Sequence, residues 1–574
     1  KDQFQMSKNA DQLQETLDSV TGVQLAQGIG HTEVKGFWAD AWGHVLTRPA
    51  AVAGIVWVAI VAFFAIFAPL LASGHPLMAW PMNPDGSTGS MTSPLLNTLK
   101  SSDVVLMFWG LMAPVILLAP IKNFPTGPRL RLIIAAGAQS GIMVILARLT
   151  ESYFTARDAS DTIRDLAQSD MFMPIAVIII AAVSAIPFIL ISILAYQSWA
   201  RSFFVLAGAV VMGLIISWKW SPELYRYDYR EKESDGKIRV VYTVIPFSPD
   251  QSETAMFNRA PGATPMDAMW DRLELSERLT ANRAAVYDDN ELAAIPVSED
   301  HYERLSEIAT SIEPLTSEHI FDYLDTLRSS SPATLLDLRE SIKSNPAPSH
   351  YLGTDTLGQD VFSQMLHACR LAISIGFIST GIAVVIGVTI GSLMGYFGGW
   401  VDLVLYRFVE MFMAIPVLFL LIVAAGVLPR NTYVMMAIIG CFTWTGAARF
   451  IRAEFMKLRE TDYIQAAKAM GLPLWSILFK HMLPNGVTPV LVESSFLIAA
   501  AILIEATLSF LGLGPTGQAS WGSLLRNASG ETGSFVWWLA IFPGAAIFFT
   551  TLAYNLIGEA LRDAIDPKLK KARV

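Results

Sequence analysis

Three acidic side chains, Glu410, Glu493 and Glu505, stand inside long apolar runs. A carboxylate at the bilayer centre costs on the order of 2.5–3.5 kcal/mol on insertion scales, so such a group must face water, protein or a counter-charge. Glu410 sits about one turn inside its apolar segment, where interfacial water solvates it. Glu493 and Glu505 share one predicted helix, about three turns apart and roughly a third of a turn around from each other. The chemistry open to them is a polar lining for a path through the membrane, or a packing contact with a partner subunit. Other constellations are missing. The eight histidines (His31, His44, His75, His301, His319, His350, His367 and His481) show no metal-ligand spacing, and no H-E-x-x-H occurs. Neither a Gly-x-Ser-x-Gly elbow nor a G-x-x-x-x-G-K-S/T phosphate loop is present. Cys369 and Cys441 both fall in apolar segments, which implies no disulfide framework. The expectation is a chain with no catalytic, cofactor-binding or metal-binding residues.

The elements that hold these carboxylates are membrane helices. Of 574 residues, 53% are hydrophobic and 16% charged, with a mean hydropathy of +0.44, well outside soluble norms. The net charge of −9 argues against a nucleic-acid partner. Apolar runs long enough to span a bilayer lie near residues 50–71, 103–121, 130–147, 171–196 and 202–218. After a polar stretch, 219–350, five more follow near 368–396, 406–428, 433–451, 487–510 and 535–557. That makes about ten spans in an all-α polytopic membrane protein. The first run begins too late and is too long for a cleavable signal peptide. Lys and Arg counts in the short loops place both termini in the cytoplasm, with Arg157 and Arg164 in an otherwise acidic outer loop. The polar stretch 219–350 then lies outside. Its opening, KIRVVYTVIPF at 237–247, reads as a strand, and its proline-broken Leu pattern from 266 to 343 reads as short helices. A small mixed α/β extracytoplasmic domain is expected there.

One stretch between apolar runs is amphipathic: DYIQAAKAMGLPLWSILFKHMLPN, residues 462–485. Tyr463, Ala467 and Met470 fall at i, i+4 and i+7 on one predicted helical face. Gly471 supplies a left-handed cap and Pro473 discourages continuation. A second apolar-periodic segment carries Leu474, Ile477, Leu478 and Met482, and closes on Leu483-Pro484-Asn485. Alone, the stretch reads equally as a linker on the membrane surface.

Its spacing resembles the E-A-A-x3-G-x9-I-x-L-P motif of permease subunits of ATP-binding-cassette importers. Further stretches resemble the dipeptide, oligopeptide and nickel branch of that family: LGTDTLGQDVFSQMLHACRLAISIGF at 352–377, GYFGGWVD at 395–402 and SFLGLG at 509–514. SWG at 520–522 and the FPG and NLIGEALRDAIDPK runs within 542–568 complete the set. Residues 37–76 resemble the family's first helix. The resemblance implies a type I permease core of about six helices, and an ATPase-coupling loop through Tyr463, Gln465, Ala466, Ala467, Gly471, Leu483 and Pro484. It also implies a second, homologous permease, two ATPase subunits, an extracytoplasmic solute-binding protein and a bacterial inner-membrane location among lipid. On the residues alone, Gly395, Gly398 and Gly399 permit a tight turn between helices, and Trp521 suits the outer interface.

Departures from the family stand out. Gln465 takes the place of its Glu, His481 of its Ile, and Gln359 of its commoner Arg. Residues from Leu77 to about Lys343 form an insertion, with about four extra helices. The expected division is a tail and interfacial segment (1–49), a first core helix (50–76), inserted helices (77–219), an outer domain (220–345), and the remaining core (346–574) with its docking loop at 452–485. The rival readings are an ion-gradient-driven secondary transporter and a membrane-anchored enzyme. The first calls for inverted repeats and ionisable pairs at the midplane, the second for a catalytic set, and neither pattern is visible.

Overall fold

The structure is a computed structural model that describes residues 37–83, 87–119, 126–154, 172–194, 208, 210–216, 229, 237–252, 256–263, 349–529 and 535–565. Residues 1–36 of the N-terminal tail, Arg157, Arg164, the Leu pattern of 266–343 and the basic C-terminal residues beyond 565 lie outside the described residues.

Helix α1 (Phe37–Leu46) leads into α2 (Pro49–Leu71), and Pro at the first turn of α2 sets that turn without losing a hydrogen bond. Strand β1 (Met78–Pro81) and the short α3 (Pro94–Thr98) precede α4 (Ser101–Leu118), α5 (Thr126–Phe154) and α6 (Phe172–Leu194). Strand β2 (Ile238–Val241) follows, within the stretch expected to be extended. The remainder is helical: α7 (Val361–Phe397), α8 (Gly399–Ala414), α9 (Val417–Val427), α10 (Thr432–Thr443) and α11 (Thr445–Leu458). Then come α12 (Asp462–Ala469), a π-helix (Ser476–Met482), the single turn α13 (Leu483–Gly486), α14 (Thr488–Phe510), α15 (Trp521–Asn527) and α16 (Trp537–Ile565). Among the described residues five helices are long and apolar enough to cross a membrane, or up to seven if each of two bent pairs is one span.

The spans expected at 406–428 and 433–451 are each a bent pair. Helices α8 and α9 meet at 79°, and α10 and α11 at 43°. Pro416 explains the first, because it has no N–H to continue the ladder and keeps Ile415 out of the helical region. The second bend falls at Trp444, a residue with no breaking tendency of its own.

Helix α7 is the axis of the fold. Its N-terminus is capped by Asp360, whose carboxylate accepts from Ser363 N at 2.7 Å. The same side chain holds His350 Nδ1 at 2.7 Å, and Phe247 stacks on that imidazole. Asp355 folds the preceding turn, accepting from Leu357 N, Gln359 N and Gln364 Nε2 at 2.8–2.9 Å. Burial pushes the Asp355 carboxyl above the ordinary carboxylate value, against the lowering effect of those bonds. Trp538 Nε1 donates to Thr354 O at 3.0 Å, so the turn also ties down the start of α16.

The inserted residues leave and return at fixed points. β1 pairs antiparallel with β2, from Met78↔Val241 to Pro81↔Ile238. A second junction pairs Ala263 with His350. Between the strands, α4, α5, α6 and helical residues 210–216 share a core of Val105, Met143, Val177, Ile180, Met212 and Ile216. This bundle is fastened to the rest through Arg370 on α7. Pro69 removes the N–H that would bond Ala65 O; Arg370 Nε donates there instead at 3.2 Å, and its other arm pairs with Asp103 on α4.

At its other end α7 meets α11 backbone to backbone. Gly387, Gly391 and Gly395 recur every fourth residue and share one face. A Cβ at these positions would fall 2.8 Å from Trp444 O, 2.5 Å from Ala448 O and 2.7 Å from Arg452 O. The turn residues Gly398 and Gly399 both have positive φ, as a tight reversal requires, whereas Gly395 serves helix contact. Trp521 is buried, with Nε1 donating to Met365 O at 3.3 Å, and so packs on α7 instead of meeting the outer interface.

The seam predicts its own test. Gly391→Leu must separate α7 from α11 or shift both backbones, at about 1–3 kcal/mol or more. The detergent-purified variant should unfold at lower temperature and give less folded protein than the parent, while Gly381→Leu, where a Cβ meets nothing within 4 Å, should not. Equal stability of the two variants would remove the seam from its proposed role.

Candidate functional site

The stretch 462–485 forms a short-jointed elbow between α11 and α14. Helix α12 begins after Thr461, whose side chain makes no cap bond to it. The joint with α11 is closed by Gln465, whose Nε2 donates to Arg459 O at 2.8 Å. A Glu at this position could accept but not donate, so the departure noted in the sequence has a local use: the amide points back at the chain's own turn. At the other end, Gly471 (φ 71°) closes the helix with paired bonds, Gly471 N to Lys468 O at 3.0 Å and Leu472 N to Ala467 O at 3.2 Å. These form a Schellman cap. The π-helix then leads into α13 through Leu483-Pro484, with Pro484 exposed and Leu483 half-buried. Asn485 Nδ2 donates to His481 O at 2.9 Å and approaches Tyr463 Oη at 3.4 Å, drawing the end of the elbow back to its beginning.

The elbow has its own core. Ile464, Ala467, Ile477, Leu478 and Met482 are buried against Phe455, Leu458 and Val490, and Lys468 lies over the Tyr396 ring at 5.0 Å. The predicted common face of Tyr463, Ala467 and Met470 is therefore divided: Ala467 packs inward with Ile464, while Tyr463, Ala466 and Met470 remain outside. Periodicity finds apolar stripes but does not say which one the chain covers with itself. Ile464 is the contact that reasoning missed; its i, i+3 relation to Ala467 was the available signal. The outward stripe continues through Leu474 and Trp475, and Trp475 stacks on Phe479 at 3.9 Å between ring centroids. Met470 is 72% and Trp475 71% exposed. The result is an apolar plate backed by a packed core, and among the described residues no group of His, Cys, Asp or Glu is placed to hold a metal ion. Such a plate suits protein docking.

The three carboxylates are not gathered into one site. Glu410 pairs with Arg407 at 2.7 Å on an exposed part of α8. Glu493 borders Gly446 of α11, with the charges of Arg449 and Arg562 acting on it. Glu505, about 18 Å further along α14, is buried and accepts from Ser509 Oγ at 2.7 Å. Within this chain Glu505 is thus enclosed by protein and does not face an open passage.

The cap at Gly471 yields a structural prediction. Nothing lies within 4 Å of a Cβ there, so bulk is tolerated and only the left-handed backbone resists. Gly471→Ile should cost about 1–2 kcal/mol and loosen α12, seen as faster tryptic cleavage after Lys468, whereas Gly471→Asn should cleave as the parent does. Identical cleavage of all three would mean that the cap does not hold the helix.

Comparison with known proteins places these elements in a family. Residues 387–571 match the model for a binding-protein-dependent transport system inner membrane component, and residues 36–91 match the N-terminal transmembrane domain of oligopeptide transport permease C. The chain is similar to the glutathione transport system permease protein GsiD of Pectobacterium atrosepticum, 35% identical over 46% of this chain and 82% of that one. It is also similar to the dipeptide transport system permease protein DppC of Alkalihalophilus pseudofirmus, 35% identical over 39% and 74%. The peptidoglycan transport system permease protein YejE of Agrobacterium fabrum is 37% identical over 38% and 57%. With its helical core, its motifs and four-fifths of a relative's length matched, the chain belongs to the binding-protein-dependent permeases, the membrane subunits of ATP-binding-cassette importers.

Proposed function

We propose that this chain and a homologous permease form the path for peptides or related small solutes, with residues 462–485 as the docking element for an ATPase. The observation that carries this is the outward apolar plate of Tyr463, Ala466, Met470, Leu474 and Trp475, backed by a core continuous with α11 and α14. A permease of this family is a transport subunit of a multi-pass inner membrane protein complex, and separate ATPase subunits hydrolyse the ATP. The solute class rests on relatives named for glutathione and dipeptide transport. A solute-binding protein on the outer face and a pair of ATPases on the inner face complete the assembly.

Coupling follows from the geometry. Closure of the ATPase pair pushes on the plate, and the elbow, packed and closed by the Gln465 and Gly471 bonds, passes that push to the helices it joins. Gln465, turned onto Arg459 O, stiffens the joint and makes no charged bond outward. Glu493 borders the moving helix α11, while Glu410 and Glu505 have partners of their own. Both termini are assigned to the cytoplasm; the contact of Arg48 with Asp563 at 2.6 Å supports a common side for the start of α2 and the end of α16. The inserted bundle adds four membrane helices, an even number that preserves the orientation of the core. The outer domain, expected at 220–345, extends from the clasp of β1 and β2 and is assigned to contact with the binding protein or the partner permease.

The chain purified from its native membrane in mild detergent should carry ATPase subunits with it. Replacing both Met470 and Trp475 by Asp should lower their recovery at least about tenfold while the permease remains membrane-inserted. Uptake of a labelled dipeptide should require ATP. Full recovery of ATPase by the double variant, or uptake that runs on an ion gradient without ATP, would contradict the assignment.

A further inference from the structure

Within helix α8 Val409 is fully buried, and Leu405, Tyr406 and Phe412 are half-buried against the same cluster. Its outward side is apolar, with Trp400, 80% exposed, followed by Leu403, Val404 and Met411. Together with α9 beyond the Pro416 bend, it offers a long exposed surface, and along the chain it reaches the docking elbow by way of α9, α10 and α11. One ion pair ties it directly to α11, the helix that enters the elbow. Arg452 on α11 grips Asp402 on α8 with two arms, Nε to Oδ1 at 2.5 Å and Nη2 to Oδ2 at 2.7 Å. Its guanidinium also lies 4.5 Å from the centre of the Tyr406 ring, one turn further along α8. Both charged side chains are largely shielded, at 25% and 15% exposure. A planar fork on a carboxylate fixes direction as well as distance, which a lysine would not do.

The backbone of the same arginine is wedged on the opposite side. A Cβ at Gly395 of α7 would fall 2.7 Å from Arg452 O. Arg459, one residue beyond α11, fills the space beside Gly398 at the turn that starts α8. Arg452 therefore joins three helices at the end of the bundle where the elbow lies. Pushing the elbow moves α11 through the chain itself; the fork is the charged tie that carries that movement to the start of α8, beside the packing of Phe408 and Phe412 on Trp444.

We infer that the Asp402–Arg452 fork, stacked on Tyr406, is the hitch that makes α8 and α9 follow the docking elbow, so that both residues are positioning residues for transport. The inference rests on the docking role proposed for residues 462–485. Asp402 and Arg452 lie 50 positions apart and touch neither solute nor nucleotide in this role; they pass movement at one end of α11 to the α8–α9 pair.

The test uses the whole complex of this chain, its partner permease and its ATPases. Cysteines replace Val427 at the end of α9 (80% exposed) and Val385 on α7 (67% exposed) in a Cys441→Ser background, and carry spin labels. In the parent, MgATP with vanadate should shift the distance between the labels. Arg452→Gln should lose that shift while retaining its ATPase subunits, and Arg452→Lys should recover it only in part. Exchanging the charges, Asp402→Arg with Arg452→Asp, should restore it. A full shift in Arg452→Gln, or no shift in the parent, overturns the hitch. Loss of the ATPases from Arg452→Gln also overturns it, by making the pair a support for the docking site itself. Failure of the parent to retain any ATPase is a different result, and counts against the docking role on which the hitch rests.

Discussion

Where α7 meets α11 at Gly387, Gly391 and Gly395, Trp444 O, Ala448 O and Arg452 O come closer to α7 than a Cβ on those glycines would allow. In lipid there is no hydrophobic drive between helices, so association depends on packing of this kind and on polar contacts across it. The seam sets the line of α11, and through α11 it sets everything at that end of the molecule. Arg452 O lies against Gly395, which aims the Arg452 guanidinium at Asp402. Phe455 lies against the same glycine and forms one wall of the core that holds Ile464 and Ala467. The apolar plate thus stands on α7 through a short chain of contacts, with Ile464 and Ala467 turned inward and Tyr463, Ala466 and Met470 exposed.

The opposite end of α7 solves a different problem, that of joining inserted chain to a packed core. Closing a long loop costs little more than closing a shorter one, provided that its ends are held together. Here they are, by β1 with β2 and by Ala263 with His350. Arg370 also ties α4 to α7 with one guanidinium that serves two needs at once, the carbonyl freed by Pro69 and the carboxylate of Asp103. In the TDTLGQD turn before α7, the two aspartates cap a helix and fold a turn.

Much of this was legible in the sequence because it is local. Long apolar runs mark spans, Gly471 with Pro473 marks a helix end, and the order of the family-like stretches marks the core. Pro416 also announced its bend, although a continuous apolar run concealed it; Trp444 announced nothing. What could not be read is non-local. The pairs Asp402–Arg452 and Asp103–Arg370 join residues 50 and 267 positions apart, and charge spacing along the chain carries no sign of either. Tyr463, Ala467 and Met470 were placed on one face, but their division into an exposed pair and a buried Ala467 depends on which stripe the chain packs against α11 and the following turns. Gln465 is the subtler case: as a departure from the family pattern it suggested a lost contact, whereas its amide makes a bond that the usual residue could not.

The central claim is that one face of residues 462–485 meets an ATPase and the other is sealed within this chain. Photo-crosslinking residues placed singly at Ala466, Met470 and Trp475, and for comparison at the buried Ile464 and Ala467, test both halves in intact membranes. The account predicts capture of the ATPase subunit from the first three positions and not from the last two. Equal capture from all five, or no ATPase captured from the exposed three, would contradict it.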